Sequence, residues 1–245
     1  MKFKDSGQGC TVQYLFNSGF AVETQSNILI FDYCKRSEYI TDKLLSGKKV
    51  TVFVTHDHSD HFNSIIYEWS KKHDVCYVID ENVDKSPNAN IYTVKPDEHL
   101  FVNDISIKTL GSTDRGVSFL VKVDDVTIFH SGDLNWWKWK NDSIQTQRQE
   151  ELDYKNEIHK LLNQHIDIAF IPVDPRLGEF YDLAAKYFAE VISVSNIIPM
   201  HFTTSPKSVE IIAEKWQLRP KFVPLLLEGQ TATFKLQGRS HPPCS

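Results

Sequence analysis

The sequence has few cysteines, no long apolar run and no excess of positive charge. Its four cysteines, Cys10, Cys34, Cys76 and Cys244, are far apart and form no CxxC pair. We therefore expect reduced thiols in a cytoplasmic protein, not disulfides or a thiolate metal site. No apolar run exceeds about eight residues, whereas roughly 20 are needed to span a bilayer, and the first residues lack the apolar stretch of a signal peptide. The net charge of −5 argues against nucleic acid as a partner.

The order of the apolar segments predicts one layered α/β domain. Glycine and proline, ten of each, are thinly spread and form no linker, so we expect a single domain over 1–237 and a flexible tail over 238–245. Strand patterns fill the first half, including a hairpin that turns at Asp124-Asp125, and the segment 222–236 also has a strand pattern. Helices are expected at 37–45, 62–73, 147–166, 179–191 and 205–216. Two packed sheets with helices outside fit this order.

A dense group of histidine and aspartate follows the predicted strand KVTVFV. From Thr55 the sequence reads THDHSDH. Imidazole and carboxylate groups held this close repel or change protonation unless a cation binds them, and zinc, iron and manganese accept both as ligands. His56 and His58, two apart on an extended segment, point to the same side, while Asp60 and His61 turn toward a neighbouring position. A solvated polar loop is the alternative, but the H-x-H-x-D-H pattern favours a metal site.

Further metal ligands are expected at the ends of other strands. Asp133 ends the segment FHSGD, and His201 lies in PMHF at the end of a later strand. Taken alone, such an aspartate is usually a turn or cap residue, and a single histidine is usually a core or surface residue. The cluster at 56–61 makes Asp133 and His201 candidate metal ligands, because strand ends converge at one edge of a sheet.

Together these segments resemble the metallo-β-lactamase superfamily. The resemblance rests on Thr55 to His61, His130 to Asp133 and Met200 to Phe202, and it extends over nearly the whole chain. It implies an αββα sandwich of four layers. The segments IFD at 30–32, GSTD at 111–114 and IPVD at 171–174 look like the branch that includes ascorbate-6-phosphate lactonase and many uncharacterised metal-dependent hydrolases.

The resemblance also implies a role for each matching residue. His56 and His58 would bind a first divalent ion, whereas Asp60, His61 and His201 would bind a second. Asp133 would bridge the two ions, and Asp32 would orient a ligand imidazole. Zinc is the expected metal.

One ligand of the family pattern is missing from this sequence. The superfamily usually has a further histidine for the first ion between the cluster and Asp133, but GSTDRG stands there instead. Asp114 is the preferred substitute; the alternative is that it caps a turn or pairs with Arg115. His99 comes too early in the chain, and the His130 side chain is expected to point away from that of Asp133. A carboxylate in this position would favour manganese or iron.

The implied chemistry is hydrolysis of a small ester, lactone or phosphoester. A hydroxide bridging the two ions would be the nucleophile, and Asp60 would hold it and carry its proton to the leaving group. A nuclease of the same fold, a non-catalytic metal sensor with an incomplete first site, and an iron oxygenase are the alternatives.

The segment after Asp133 suggests contacts for the substrate. LNWWKWK at 134–140 is aromatic and cationic, which suits a flat or anionic small molecule. Arg115, Trp136 and Lys138 are the candidate contacts. The alternative is that the tryptophans pack beneath the next helix. No feature of the sequence fixes the oligomeric state.

Overall fold

The computed structural model describes residues 9–203 and 205–235. The predicted tail at 238–245 lies outside the described residues, and the single-domain boundary stays a prediction. The elements of the first half are β1 (Gly9–Phe16), β2 (Gly19–Glu23), β3 (Asn27–Phe31), α1 (Asp42–Ser46), β4 (Lys49–Val54), a 3₁₀ helix (Ser64–Lys71), β5 (Val75–Asp80) and β6 (Asn90–Val94).

The second half begins with antiparallel strands and then alternates strands with helices. Its elements are β7 (His99–Val102), β8 (Ile105–Leu110), β9 (Ser118–Val123), β10 (Val126–His130), α2 (Ile144–His159), β11 (His165–Pro172), a 3₁₀ helix (Pro175–Phe180), α3 (Leu183–Val191), β12 (Ser193–Met200), α4 (Pro206–Lys215), β13 (Lys221–Phe222) and β14 (Thr231–Lys235). No helix in the described ranges combines the length and the apolar character that crossing a bilayer requires.

The strands form two seven-stranded sheets, which confirms the predicted sandwich. Their orders are β14-β1-β2-β3-β4-β5-β6 and β13-β12-β11-β10-β9-β8-β7. Strands β3 to β6 run parallel in the first sheet, and β10 to β13 run parallel in the second. The carboxyl ends of neighbouring parallel strands lie at one edge of a sheet, where sites in α/β proteins are usually built.

Aromatic side chains fill the space between the sheets. Phe20 of the first sheet stacks on Phe170 of the second, with ring centroids 4.3 Å apart. On the outer face of the first sheet, a second cluster packs Leu45 of α1 and Ile66 of the 3₁₀ helix against the strands. On the outer face of the second sheet, Phe129 stacks on Phe188 of α3. These contacts make the four layers αββα.

Several predicted element boundaries are wrong, and local hydrogen bonds explain three of them. The helix expected at 37–45 begins only at Asp42, because the Thr41 side chain accepts from Leu44 N and caps the helix there. The segment 62–73 contains a 3₁₀ helix over Ser64–Lys71 in place of an α-helix, and the Tyr77 hydroxyl donates to the Ile66 carbonyl that an α-helix would use. The helix expected at 147–166 begins earlier, at Ile144, because Ser143 caps its start, and it ends at His159, before β11 begins at His165.

Two further boundaries differ near the end of the chain. The helix expected at 179–191 begins only at Leu183, as α3, and residues 179 and 180 form the end of the preceding 3₁₀ helix Pro175–Phe180. Most of 222–236 was expected to be strand, but 223–230 form a loop between β13 and β14. The hairpin turn at Asp124-Asp125 is confirmed: both residues have positive φ, 45° and 64°, as a type I′ turn requires.

Candidate metal centre

The predicted ligands gather where parallel strands of both sheets end. Asp32 follows β3 and the cluster from His56 follows β4, while Asp133 follows β10 in the other sheet. Asp174 follows β11, and His201 follows β12 directly. Five segments that are distant in sequence therefore contribute polar side chains to one edge of the sandwich.

Asp32 organises the buried base of this centre. Its carboxylate accepts from Thr55 N at 2.8 Å, from Thr55 Oγ1 at 2.7 Å and from His61 Nδ1 at 2.7 Å. Because the Thr55 hydroxyl donates its proton to Asp32, Thr55 Oγ1 can only accept from His56 Nδ1, 3.0 Å away. Both imidazoles therefore carry their proton on Nδ1 and present the lone pair of Nε2.

The Nε2 atoms of three histidines face the Asp133 carboxylate. His61 Nε2 lies 3.0 Å and His201 Nε2 lies 3.5 Å from Asp133 Oδ1, and His56 Nε2 lies 3.4 Å from Oδ2. Asp60 Oδ2 is 3.5 Å from His201 Nε2 and 3.7 Å from His61 Nε2. Lone pairs of nitrogen and carboxylate oxygen at these distances need a positive charge between them.

A second carboxylate orients His201 from behind. Asp174 Oδ2 accepts from His201 Nδ1 at 3.1 Å, which leaves Nε2 directed at Asp60 and Asp133. The Arg176 guanidinium in turn donates from Nε and Nη2 to Asp174. Burial alone would raise the pKa of Asp174, but its bonds from His201 and Arg176 lower it to about 2.

The protonation equilibria show the same demand for positive charge. Burial opposes a charge on His61, yet Asp133 and Asp32 raise the pKa of this imidazole well above its usual value. Burial likewise opposes a charge on His201, but Asp174 and Asp60 raise its pKa to about 9. The pKa of Asp133 is lowered far below normal by His61 and His56, against the effect of burial. Protons on these groups stand in for a cation.

The donor set fits divalent metal. His56 Nε2, His61 Nε2 and Asp133 Oδ1 are buried and have no hydrogen-bond partner among the described residues. Ligand atoms about 2.0–2.2 Å from one tetrahedral zinc would be roughly 3.3 Å apart, close to the observed spacings. Three groups of candidate ligands gather their atoms within 4.8 Å: His56, His61 and Asp133; Asp60, His61 and His201; and His58, Asp114 and Asp133.

The turn that replaces the missing histidine lies directly against the cluster. Gly116 has a φ of +72°, and a Cβ there would collide with the Thr55 carbonyl, which accepts from Val117 N. This close approach brings Asp114 into the group with His58 and Asp133. Asp114 has no basic side chain within ion-pair distance in the described part of the chain; Arg115 lies beside Asp57 instead, at 3.3 Å.

His130 is directed away from the candidate ligands. Its Nε2 donates to the Ser18 carbonyl at 2.8 Å, and its Nδ1 accepts from Gly132 N. The ring stacks on Phe31, with centroids 5.0 Å apart and planes within 5°. Burial lowers the pKa of His130, so this imidazole is a neutral part of the core.

The structure does not bring two of the predicted substrate contacts to the centre. Trp136 packs against Tyr154 and Tyr187, beneath α2 and α3. Lys138 Nζ lies over the ring of Phe180, 4.4 Å from its centroid. A cavity of about 280 Å³ adjoins the centre instead, and its walls are Thr113, Asp114, Trp137, Trp139, Glu150 and Arg176. In the WWKW segment, successive residues point to opposite sides, and this pattern could have predicted that Trp137 and Trp139 share a side. The IPVD segment, which ends a strand with an aspartate, could have predicted Asp174.

Comparison with known proteins agrees with the fold and with a metal centre. No family model matches the sequence. A curated protein named UPF0173 metal-dependent hydrolase, from Korarchaeum cryptofilum, is 26% identical over 207 residues, which are 80% of this chain and 84% of that protein.

Solved structures share the architecture. Igni18, a metallo hydrolase from Ignicoccus hospitalis, superposes with a TM-score of 0.67 at 15% identity and covers 94% of this chain and 100% of its own. YhfI from Bacillus subtilis, described as a metallo-β-lactamase fold protein, superposes with a TM-score of 0.64 at 11% identity, over 93% of this chain and 100% of its own. The chain therefore has the metallo-β-lactamase fold, and the prediction of a metal-dependent hydrolase agrees with the names that its relatives carry.

Proposed function

We propose that the protein is a hydrolase that holds two divalent ions at this sheet edge and acts on a small ester, lactone or phosphoester. The observation that carries the proposal is the convergence of the His56, His61 and His201 Nε2 atoms on Asp133. Two of these nitrogens and a carboxylate oxygen are buried and have no hydrogen-bond partner in the described part of the chain. Burying such atoms without a partner is costly, so the centre is built for cations.

The candidate ligands divide into two sets. His56, His58 and Asp114 would hold the first ion, and Asp60, His61 and His201 the second, with Asp133 shared. Zinc is the metal that this mostly imidazole set suits, and Asp114 would move the first position toward manganese or iron. When bound, the ions supply Lewis acidity and a water that loses a proton near neutral pH.

The side chains of this protein have separate tasks in such a hydrolysis. Asp32 and Asp174 fix the orientation of His61 and His201 through Nδ1. Asp60 is more open than the shared carboxylate Asp133, with 48% of its side chain exposed against 6%. Asp60 therefore takes a proton from the attacking water and delivers it to the leaving group.

The cavity beside the centre would receive the non-reacting part of the substrate. Trp137 is fixed there because its Nε1 donates to the Asp133 carbonyl at 3.2 Å, and the Trp139 ring is parallel to it within 4°. Arg176 lines the same cavity. Three expectations from the sequence stay predictions. They are an anionic substrate, membership of the branch that includes ascorbate-6-phosphate lactonase, and a cytoplasmic location.

Elemental analysis followed by a substrate screen tests the proposal. Purified protein saturated with zinc, manganese or iron should hold two ions per chain and hydrolyse a lactone, ester or phosphodiester. Asp133→Asn should lose both properties, whereas Asp182→Asn, at the buried N-cap position of α3, should keep them. Turnover that persists in metal-free protein would exclude this mechanism.

A further inference from the structure

The turn between β1 and β2 inserts a side chain beneath the candidate metal centre. Asn17 is buried, with 3% of its surface exposed, and its φ of +52° lies in the left-handed region. Asparagine tolerates this conformation better than most residues. The backbone is fixed further because Asn17 N donates to the Tyr14 hydroxyl at 2.9 Å. The turn thus holds the amide in a set position.

Asn17 contacts two segments that carry ligands of the second ion. Its Nδ2 donates to Asp60 Oδ2 at 3.2 Å and to the Asp60 carbonyl at 3.3 Å. Its own carbonyl accepts from His201 N at 3.4 Å, and its Oδ1 accepts from Thr203 Oγ1 at 3.4 Å. One residue of the first strand pair therefore joins the loop after β4 to the loop after β12.

Asp60 needs such support more than the buried candidate ligands do. His56, His61, Asp133 and His201 are held in buried surroundings, whereas about half of the Asp60 side chain is exposed. An exposed carboxylate loses rotamer freedom when it binds an ion, and a neighbouring donor that fixes the rotamer beforehand removes part of that cost. The amide of Asn17 reaches the same oxygen that faces His61 and His201.

We propose that Asn17 is a positioning residue that fixes the Asp60 carboxylate and thereby sets the affinity of the second ion. The inference rests on the proposed function, in which Asp60, His61 and His201 hold that ion. Asn17 touches neither the ion nor the substrate in this scheme; it acts through Oδ2 of Asp60.

Asn17→Gly tests the role of the amide without straining the turn. Glycine adopts a positive φ freely, so this variant removes the donor and leaves the backbone conformation accessible. Asn103→Gly is the matched control, since Asn103 has a φ of +49° in the β7–β8 turn. Asn17→Ser is the second variant, with a polar side chain too short to reach Asp60.

Titration with cobalt(II) and with zinc, against a chromophoric chelator, measures the affinity of each ion. Loss of an outer hydrogen bond to a metal ligand typically weakens binding about 10- to 100-fold, and we expect that loss for the second ion alone in Asn17→Gly and Asn17→Ser. The visible cobalt spectrum of the second site should shift, because the angle of the Asp60 ligand changes. A purely structural role would lower the melting temperature of the metal-free protein and leave the spectrum unchanged.

The outcomes separate this inference from the proposed function. Second-ion affinity and cobalt spectra that match wild type in both Asn17 variants would overturn the role of Asn17 and leave the metal centre intact. A wild-type protein that binds no ion at all would overturn both. An equal loss in Asn103→Gly would show that turn flexibility, not the amide, controls the site.

Discussion

Asp32 accepts a 2.7 Å hydrogen bond from His61 through Nδ1, and both side chains are completely buried. The same carboxylate also accepts from both donors of Thr55. It therefore fixes the tautomer of His61 and, through the Thr55 hydroxyl, that of His56. Two of the candidate ligands depend on this one side chain, which does not face the ions itself.

Asp32→Asn should weaken binding of both ions. The new amide keeps the size of the side chain but cannot accept all three hydrogen bonds, so the His61 ring loses its fixed direction. We expect metal affinity to fall about 10- to 100-fold, as measured by competition with a chelator. Asp80→Asn is the control, because Asp80 is a buried carboxylate at the end of β5 that bonds only to Asn82 among the described residues. Equal affinity in Asp32→Asn and wild type would remove Asp32 from the centre.

The pattern of residues was enough to predict which strand ends meet at the candidate centre. His56, His61 and Asp133 each follow a buried strand, and parallel strand ends share an edge, so spacing and topology together placed them. Asn17 and Trp137 could not be found in this way. Asn17 is a turn residue by composition, and its contacts with Asp60 and His201 exist only because the turn after β1 packs against the loops that follow β4 and β12.

Helix boundaries were harder to predict than strands because they depend on single hydrogen bonds. Ser143 caps α2 one turn before the apolar pattern becomes regular. Tyr77 diverts a carbonyl of the segment 64–71 from the α-helical pattern. Neither hydrogen bond produces a periodic pattern in the sequence. The strands, in contrast, are apolar and β-branched along their length, so the sequence predicts them directly.

Removal of metal should destabilise the folded protein. A ligand that binds only the native state adds about 2.7 kcal/mol of stability at a free concentration 100 times its dissociation constant. Treatment with a chelator should therefore lower the melting temperature, and added zinc or manganese should restore it. Asp133→Asn is expected to lack the response to metal, while Asp182→Asn should show it in full. A melting temperature that is insensitive to chelator and to added metal would contradict the proposed centre.

Asp114 should control the first ion and its identity. Asp114→Ala removes a carboxylate that lies with His58 and Asp133, so we expect weaker binding of the first ion and unchanged binding of the second. Asp114→His would restore a third imidazole, and its preference for zinc over manganese should rise. Competitive titrations with the two metals give both quantities. If Asp114→Ala binds both ions as wild type does, Asp114 serves only the turn.

Asp124 should stabilise the edge of the sandwich opposite the metal centre, with a defined pH dependence. Its Oδ2 in the β9–β10 turn accepts from Thr24 Oγ1 at 2.7 Å, from Ser26 N at 2.8 Å and from Asn27 Nδ2 at 3.0 Å, which lie in the β2–β3 turn and at the start of β3 in the other sheet. Burial opposes the charge, but these donors lower the pKa of Asp124. A lowered pKa contributes stability above the unfolded value of about 3.9, and that stability is lost as the pH falls through the folded value.

Asp124→Asn removes the charge but introduces a residue that a type I′ turn also accepts. We expect a loss of about 1–2 kcal/mol in the free energy of unfolding at pH 7, measured by urea denaturation, and a difference that shrinks toward zero as the pH falls below about 3.9. Asp104→Asn is the control, because Asp104 has a φ of +67° in the β7–β8 turn and its partner Lys49 is an exposed side chain. An exposed pair contributes little, so this variant should lie within about 0.5 kcal/mol of wild type. A loss in Asp124→Asn that persists unchanged at low pH would show that the carboxylate charge is not what joins the two turns.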